Sequence, residues 1–407
     1  MPYKAMVAAV MTAVWLWELL LGAIRLRSAG NPVPENVRDV YDPETYARWK
    51  AYHLEKSRLA MARGTAVFAV ELALILTDAY AAFAGLFPAN PVTRIFAVLL
   101  LNAAAAGLAE LPFVYHNTMG IEEKYGFNRT SVKTFWLDQV KELVIGVGLM
   151  TGVGCLLMLL HQWLGEGLIP AFAGAMTLFM LLFSFLYPFF SRIFNKFTPL
   201  PEGALKEQLT ALLEKRGYRV RAIRVMDASR RSTKANAYFS GFGRMKTIVL
   251  YDTLLETMDT EEICAVFAHE MGHGLHRDTL KRQILTFVQM LAMGVLAWLI
   301  LRPPVFAAFG FGEINYGFAL LLIMNVAFGL LSPLFGLVVN GVSRRAEYRA
   351  DAQAVQEGYG AALVSGLKKL ARKDFADLAP SPLLVKLEYS HPTLSQRIRA
   401  IEKAAQA

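Results

Sequence analysis

Residues 143–163 read LVIGVGLMTGVGCLLMLLHQW, a run of 21 positions without an Asp, Glu, Lys or Arg. About 20 helical residues cross the ~30 Å of hydrocarbon in a bilayer, and a helix satisfies its own backbone hydrogen bonds there. Six further apolar stretches of this kind lie near 5–24, 65–87, 95–114, 169–190, 284–301 and 316–340. The expected fold is a mostly α integral membrane protein with seven transmembrane helices. Composition agrees: 55% of the 407 residues are hydrophobic and 18% charged, against roughly 25% charged in a soluble globule. The mean hydropathy is +0.37. The first stretch does not read as a signal peptide, because its apolar run is too long. No small-residue cleavage pattern comes after Ile24 before Arg25 and Arg27.

Seven spans put the chain ends on opposite sides. The loops 25–64, 115–142, 191–283 and 341–407 share the side of the C-terminus and hold 39 of the 42 Lys and Arg residues; only Lys4, Arg94 and Arg302 fall on the other. The positive-inside rule then places the N-terminus outside and the large polar segments in the cytoplasm. The net charge of +9 fits an anionic cytoplasmic leaflet better than nucleic acid. No Arg/Lys stripe with interleaved aromatics is present, so the expected partners are the lipid bilayer and a peptide or protein substrate, with no nucleic acid. Glu18, Glu71, Asp78, Asn102, Glu110 and Asn325 fall within the apolar stretches. A carboxylate at the bilayer centre costs at least ~2.5 kcal/mol, so these groups should face one another, a bundle interior or water. They read either as interhelical glue or as the lining of a polar chamber enclosed by the helices.

Between the spans the polar segments divide the chain into 1–190 (spans one to five), 191–283, 284–340 (spans six and seven) and 341–407. The second and fourth segments read as one small α+β unit split by the last two spans. Residues 202–217 pattern as an amphipathic helix ending at Gly217. Strands are expected at Val220–Met226, Ala235–Phe239 and Thr247–Tyr251, with Gly241-Phe-Gly243 as a hairpin turn. Helices come next at about 252–257 and 260–277. A polar helix over 342–357 precedes a loop with Pro380 and Pro382, and a final helix begins near Thr393.

The chemistry lies in His269-Glu-Met-Gly-His273. Residues i and i+4 of a helix share a face, so both imidazoles can reach one ion, and Glu270 can take a proton from a water that the ion activates. Zinc lowers the pKa of such a water from 15.7 towards ~7 and polarises a scissile carbonyl. Two cysteines, Cys155 and Cys264, cannot build a Cys-rich site, so a metal must be held by His and carboxylates. The apolar flank Ile263, Val266, Phe267 and Ala268 argues against a solvated helix face. A catalytic zinc takes three protein ligands and keeps one position open. Glu347 and Asp351, again i and i+4, are the downstream candidates for third ligand and for acceptor of an imidazole N–H. Spacing leaves open which carboxylate does which. His276 and Asp278 lie just past the motif, and Asp278 reads as a surface partner of Arg277 or Lys281 rather than of a ligand histidine.

Taken together these blocks resemble the type I CAAX prenyl proteases, seven-span membrane zinc metallopeptidases of the gluzincin group. The resemblance runs over nearly the whole chain. It includes Gly120-Ile-Glu-Glu-Lys-Tyr-Gly-Phe-Asn128, Phe194-Asn-Lys-Phe-Thr-Pro-Leu200, Asn236-Ala-Tyr238, Glu347-Tyr-Arg-Ala-Asp351 and Ser390-His-Pro-Thr-Leu-Ser-Gln-Arg397. It implies Glu347 as third ligand with Asp351 behind it. It also implies Asn236, Ala237 and Tyr238 as an edge strand that takes the substrate backbone. His391 and Arg397 would stabilise the oxyanion, and the seven helices would surround a hydrated chamber with the active site at its cytoplasmic end. Lys403-Ala-Ala-Gln-Ala407 carries no endoplasmic-reticulum retrieval signal, and the Ala-rich chain reads as a bacterial inner-membrane protein.

The function so implied is a zinc metalloendopeptidase that removes the C-terminal tripeptide of prenylated CAAX-like substrates, with one Zn2+ per chain. Two alternatives are a quality-control metalloprotease acting on unprenylated membrane proteins and, from another class, a seven-span transporter or receptor with a non-catalytic zinc site.

Overall fold

The computed structural model describes residues 2–217, 220–230, 232–233, 236–240 and 247–406, with side chains described except at 166, 183–190, 192–194, 239–240 and 279. The membrane part opens with α1 (Pro2–Ser28), α2 (Pro43–Leu76), the short α3 (Ala79–Gly85), α4 (Pro91–Tyr115), α5 (Val132–Leu164) and α6 (Leu168–Phe194). Strand β1 (Phe197–Pro199) leads into α7 (Ala204–Lys215). Next come β2 (Ala222–Met226), β3 (Ala237–Ser240), β4 (Thr247–Tyr251), α8 (Asp252–Thr257) and α9 (Thr260–Leu275). The chain re-enters the apolar layer through α10 (Asp278–Ile300), α11 (Pro303–Ala307), α12 (Tyr316–Leu322) and α13 (Gly329–Gln356). It ends in α14 (Gly360–Lys373), α15 (Pro382–Leu387) and α16 (Leu394–Ala405).

Among the described residues six helices are long and apolar enough to cross a membrane, and these include Val132–Leu164 and the continuous Tyr316–Gln356. The expected fifth span falls on α6, whose described apolar run is the shorter Leu168–Leu182. The count of six thus holds for the described residues, and the helix at the expected fifth span, α6, itself runs 27 residues from Leu168 to Phe194. The expected second span, 65–87, needs correction: α2 starts at Pro43 behind an Asp42 cap, and the helix breaks at Asp78. Asp78 adopts a left-handed φ of 57°, which Asp tolerates better than most residues. Lys4 Nζ donates to its carboxylate at 2.5 Å, so a charge inside an apolar stretch is partnered. Glu110 meets Arg63 at 3.3 Å, Tyr80 donates to Asn102 at 2.7 Å, and the Asn325 side chain faces Glu71. Most of the polar groups within the apolar stretches are thus paired, as hydrocarbon demands.

The sheet has four strands in the order β1-β2-β4-β3. β2 and β4 run parallel, and β3 pairs β4 antiparallel from Ala237↔Leu250 to Ser240↔Thr247. β3 is consequently an edge strand and lies against α9. The expected turn at Gly241–Gly243 falls outside the described residues. The sheet packs its Ile223, Ile248 and Leu250 against Leu209, Leu213, Ile263 and Phe267 of α7 and α9. The expected polar helix at 342–357 is no separate element. It is the last part of α13, which runs unbroken out of the apolar layer.

Candidate metal centre

Helix α9 is held firmly at its start. Asp259 accepts from the Glu262 backbone and Glu262 reaches back to Asp259, a reciprocal cap. The buried Glu262 also accepts from Ser365 and Lys369 of α14, each at 2.6 Å. The far end of the helix is set by closeness. A Cβ on Gly272 would meet the Ala350 Cα at 2.9 Å, so the glycine inside the motif lets α9 and α13 approach backbone to backbone. Ala265, Ala268, Ala350 and Ala354 are fully buried and keep that seam thin.

This approach brings residues from two distant parts of the chain to one point. The donor atoms of His269, His273 and Glu347 all lie within 4.8 Å of one another. Glu347 Oε2 is 3.5 Å from His269 Nε2, and Glu347 Oε1 is 3.3 Å from His273 Nε2. The other imidazole nitrogens have their own partners: His269 Nδ1 lies 2.9 Å from Asp351 Oδ1, and His273 Nδ1 lies 3.2 Å from Asp278 Oδ2. With each Nδ1–H donated to a carboxylate, each Nε2 keeps its lone pair for a cation. Glu347 Oε2 is buried without a hydrogen-bond partner among the described residues. A buried carboxylate oxygen in that condition is costly, and a divalent cation among the three donors would compensate it. The donor set fits a metal ion.

Charge tunes the site. Burial raises the pKa of the Glu347 carboxyl, but its contact with His273 and the charges of His269, Arg397 and His391 outweigh this and hold it below the usual range. Asp351 behaves alike: burial raises it, and hydrogen bonds from His269 and Arg397 bring it below the ordinary value. Both groups sit on α13 beyond the expected seventh span and stay ionised at neutral pH.

Arg397, on α16, donates from Nε to Asp351 Oδ2 at 3.0 Å and from Nη2 to Asp351 Oδ1 at 2.6 Å. Its guanidinium therefore clamps the carboxylate that orients His269, with Nη1 3.5 Å from Glu347 Oε2. His391 approaches the other carboxylate oxygen of Glu347, with Nε2 3.3 Å from Oε1, and its side chain keeps 61% of its accessibility. Glu270 is half-buried next to His269, and its charge acts on both His273 and Arg397. Asn236 precedes β3 and accepts from the Ala237 backbone, with Ala237 and Tyr238 opening the edge strand. His276 caps the end of α9.

Asp278 departs from the sequence reading. Lys281 does donate to it, at 3.4 Å, but the carboxylate also faces His273 and accepts from Arg349 at 2.7 Å. The turn responsible is a left-handed Arg277, φ 53°, which starts α10 directly behind the motif. The spacing of five between His273 and Asp278 carries the signal only if a helix break is placed between them.

Comparison with known proteins agrees with this geometry. Residues 23–196 match a family model described as CAAX prenyl protease N-terminal, five membrane helices, and residues 199–405 match Peptidase family M48. The chain is 30% identical to the CAAX prenyl protease 1 homolog of Arabidopsis thaliana, covering 98% of each protein. It is 29% identical to the human CAAX prenyl protease 1 homolog over 97% of this chain and 94% of that one. The crystal structure of S. mikatae Ste24p superposes with a TM-score of 0.91 at 26% identity, covering 99% of both chains. A motif, a donor triad and an end-to-end match converge: the chain belongs to peptidase family M48 and is a multi-pass membrane metalloprotease.

Proposed function

We propose that this chain is a zinc endopeptidase with its site on the cytoplasmic side, and that it removes the C-terminal tripeptide from prenylated CAAX-like tails. The observation that carries the reading is the end-to-end likeness to relatives named CAAX prenyl protease 1. His269 Nε2, His273 Nε2 and a Glu347 oxygen hold the ion. Two imidazoles and one carboxylate are a customary zinc set. When bound, zinc polarises the scissile carbonyl and acidifies the attacking water.

The chain's own residues do the rest. Glu270 takes the proton of the attacking water and hands it to the leaving amine. The accessible His391 donates to the oxyanion, since its Nε2 stands beside Glu347 without being enclosed. Arg397 orients Asp351 through Nε and Nη2, and its Nη1, 3.5 Å from Glu347 Oε2, stands with His391 as a donor towards the oxyanion. Residues Asn236, Ala237 and Tyr238 present β3, the outer strand of the described sheet, to an extended substrate backbone. The bilayer surrounds a polar chamber in which Glu110 and Arg63, both near half accessible, meet water. The distribution of 39 of 42 basic residues orients the N-terminus outside.

A farnesylated CAAX peptide and its unprenylated twin, digested side by side by the purified protein, test the specificity. Faster release of the tripeptide from the farnesylated peptide is expected. Equal cleavage of both would favour turnover of unprenylated membrane proteins instead.

A further inference from the structure

The loop that carries His391 is held by a row of residues outside the metal centre. Gly336, Asn340 and Arg344 recur every fourth residue along one face of α13. All three meet the carbonyl end of α15 and the residues just after it. A Cβ on Gly336 would lie 2.8 Å from the Leu387 oxygen. Asn340 Nδ2 donates to that same oxygen at 2.7 Å. Arg344 Nη1 donates to the carbonyls of Val385 at 2.8 Å and Tyr389 at 2.7 Å, with Lys386 at 3.4 Å.

The chemistry of a helix end explains the pattern. The last carbonyls of a helix have no intrahelical partner and carry the negative end of its dipole, so a guanidinium and an amide donor suit them. Ser390 and His391 come directly after the Tyr389 oxygen that Arg344 grips. Ser390 Oγ lies 2.9 Å from His391 Nδ1. The imidazole is otherwise largely accessible, so side-chain packing does little to fix it. Its distance to Glu347 must come from its backbone. Arg344 and Glu347 are one turn apart on the same helix, so the row references His391 to the very element that carries the candidate third ligand.

We propose that Gly336, Asn340 and Arg344 are positioning residues that set His391 over the catalytic centre by gripping the carbonyl end of α15. The inference rests on His391 being a donor to the oxyanion. A misplacement of 1 Å in a catalytic group can cost about 100-fold, so R344A is expected to lower kcat by about 10- to 100-fold, with KM and zinc content little changed. N340A should act in the same direction but less, and R344K should recover part of the rate by satisfying one or two of the carbonyls.

The deciding measurement is a double-mutant cycle on the full-length protein, with R344A, H391A and the pair assayed on one farnesylated peptide. If Arg344 works through His391, adding R344A to H391A slows the enzyme no further. Should R344A fail to accumulate as folded protein, N340A and R344K enter the same cycle. Equal slowing of wild type and H391A by the Arg344 or Asn340 change would overturn the inference and leave His391 standing. A wild-type rate for H391A would instead remove the reading on which it rests.

Discussion

Two carboxylates stand behind the same metal site, and they differ in how they are built. Asp351 backs His269 from within a single long helix, is 1% exposed, and is clamped in bidentate fashion by Arg397 from the last helix of the chain. Asp278 backs His273 from the first turn of the next helix and takes a single contact each from Arg349 and Lys281 near the surface. Burial raises the Asp278 pKa while His273 and Arg349 lower it to a net value below the usual range, as at Asp351. The chemistry is shared, and what differs most is the basic partner: the Arg397 side chain is 11% accessible and that of Arg349 39%. Breaking a buried charge pair leaves an uncompensated ion and costs about 3–5 kcal/mol, whereas exposed pairs contribute about 0–1 kcal/mol. Asp351 and Arg397 should therefore matter to folding and metal affinity together, and Asp278 and Arg349 chiefly to the set of one imidazole.

The sharpest break removes what both arms share. E347A should abolish metal binding and cleavage, and its melting temperature should match that of chelator-treated wild type, since an ion that ties α9 to α13 stabilises only the folded state. Metal content by mass spectrometry and a thermal melt read both quantities. Next comes D351A, which strands Arg397 beside His269; zinc affinity should fall by about 100-fold, the upper end for residues behind metal ligands, with a clear loss of thermal stability. D278A should cost about 10-fold in affinity, with a small shift in melting. R349A should be smallest, within about threefold, because Lys281 remains beside Asp278 and water can solvate it. Competition titration with a zinc chelator ranks all four. D278A weakening zinc more than D351A would invert the comparison.

The deeper of these arms was readable in the sequence and the shallower was hidden. Asp351 sits four residues from Glu347, a spacing that declares a shared helical face before any coordinates are known. Asp278 is five residues past His273, and its approach depends on a left-handed, non-glycine Arg277 that no propensity announces. The same limit recurs in the membrane part, where the break at Asp78 needs Lys4 from 74 residues away to explain it. Arg397 was visible as a conspicuous residue in a C-terminal block, yet its engagement with Asp351 depends on how α16 packs against α13. Arg344 was less visible still, because its partners are main-chain carbonyls, which leave no mark on side-chain pattern. The motif helix itself needed little beyond its letters: Asp259 and Glu262 cap it, Gly272 lets it approach α13, and His269 and His273 face one way.

The proposed chemistry turns on Glu270 moving the proton while the two histidines and Glu347 hold the ion. Purified E270A, assayed for zinc per chain and for peptide cleavage in the same preparation, separates these two duties. One zinc per chain and no cleavage above background are expected. Cleavage by E270A at a rate near that of wild type would contradict the assignment of Glu270 as the base.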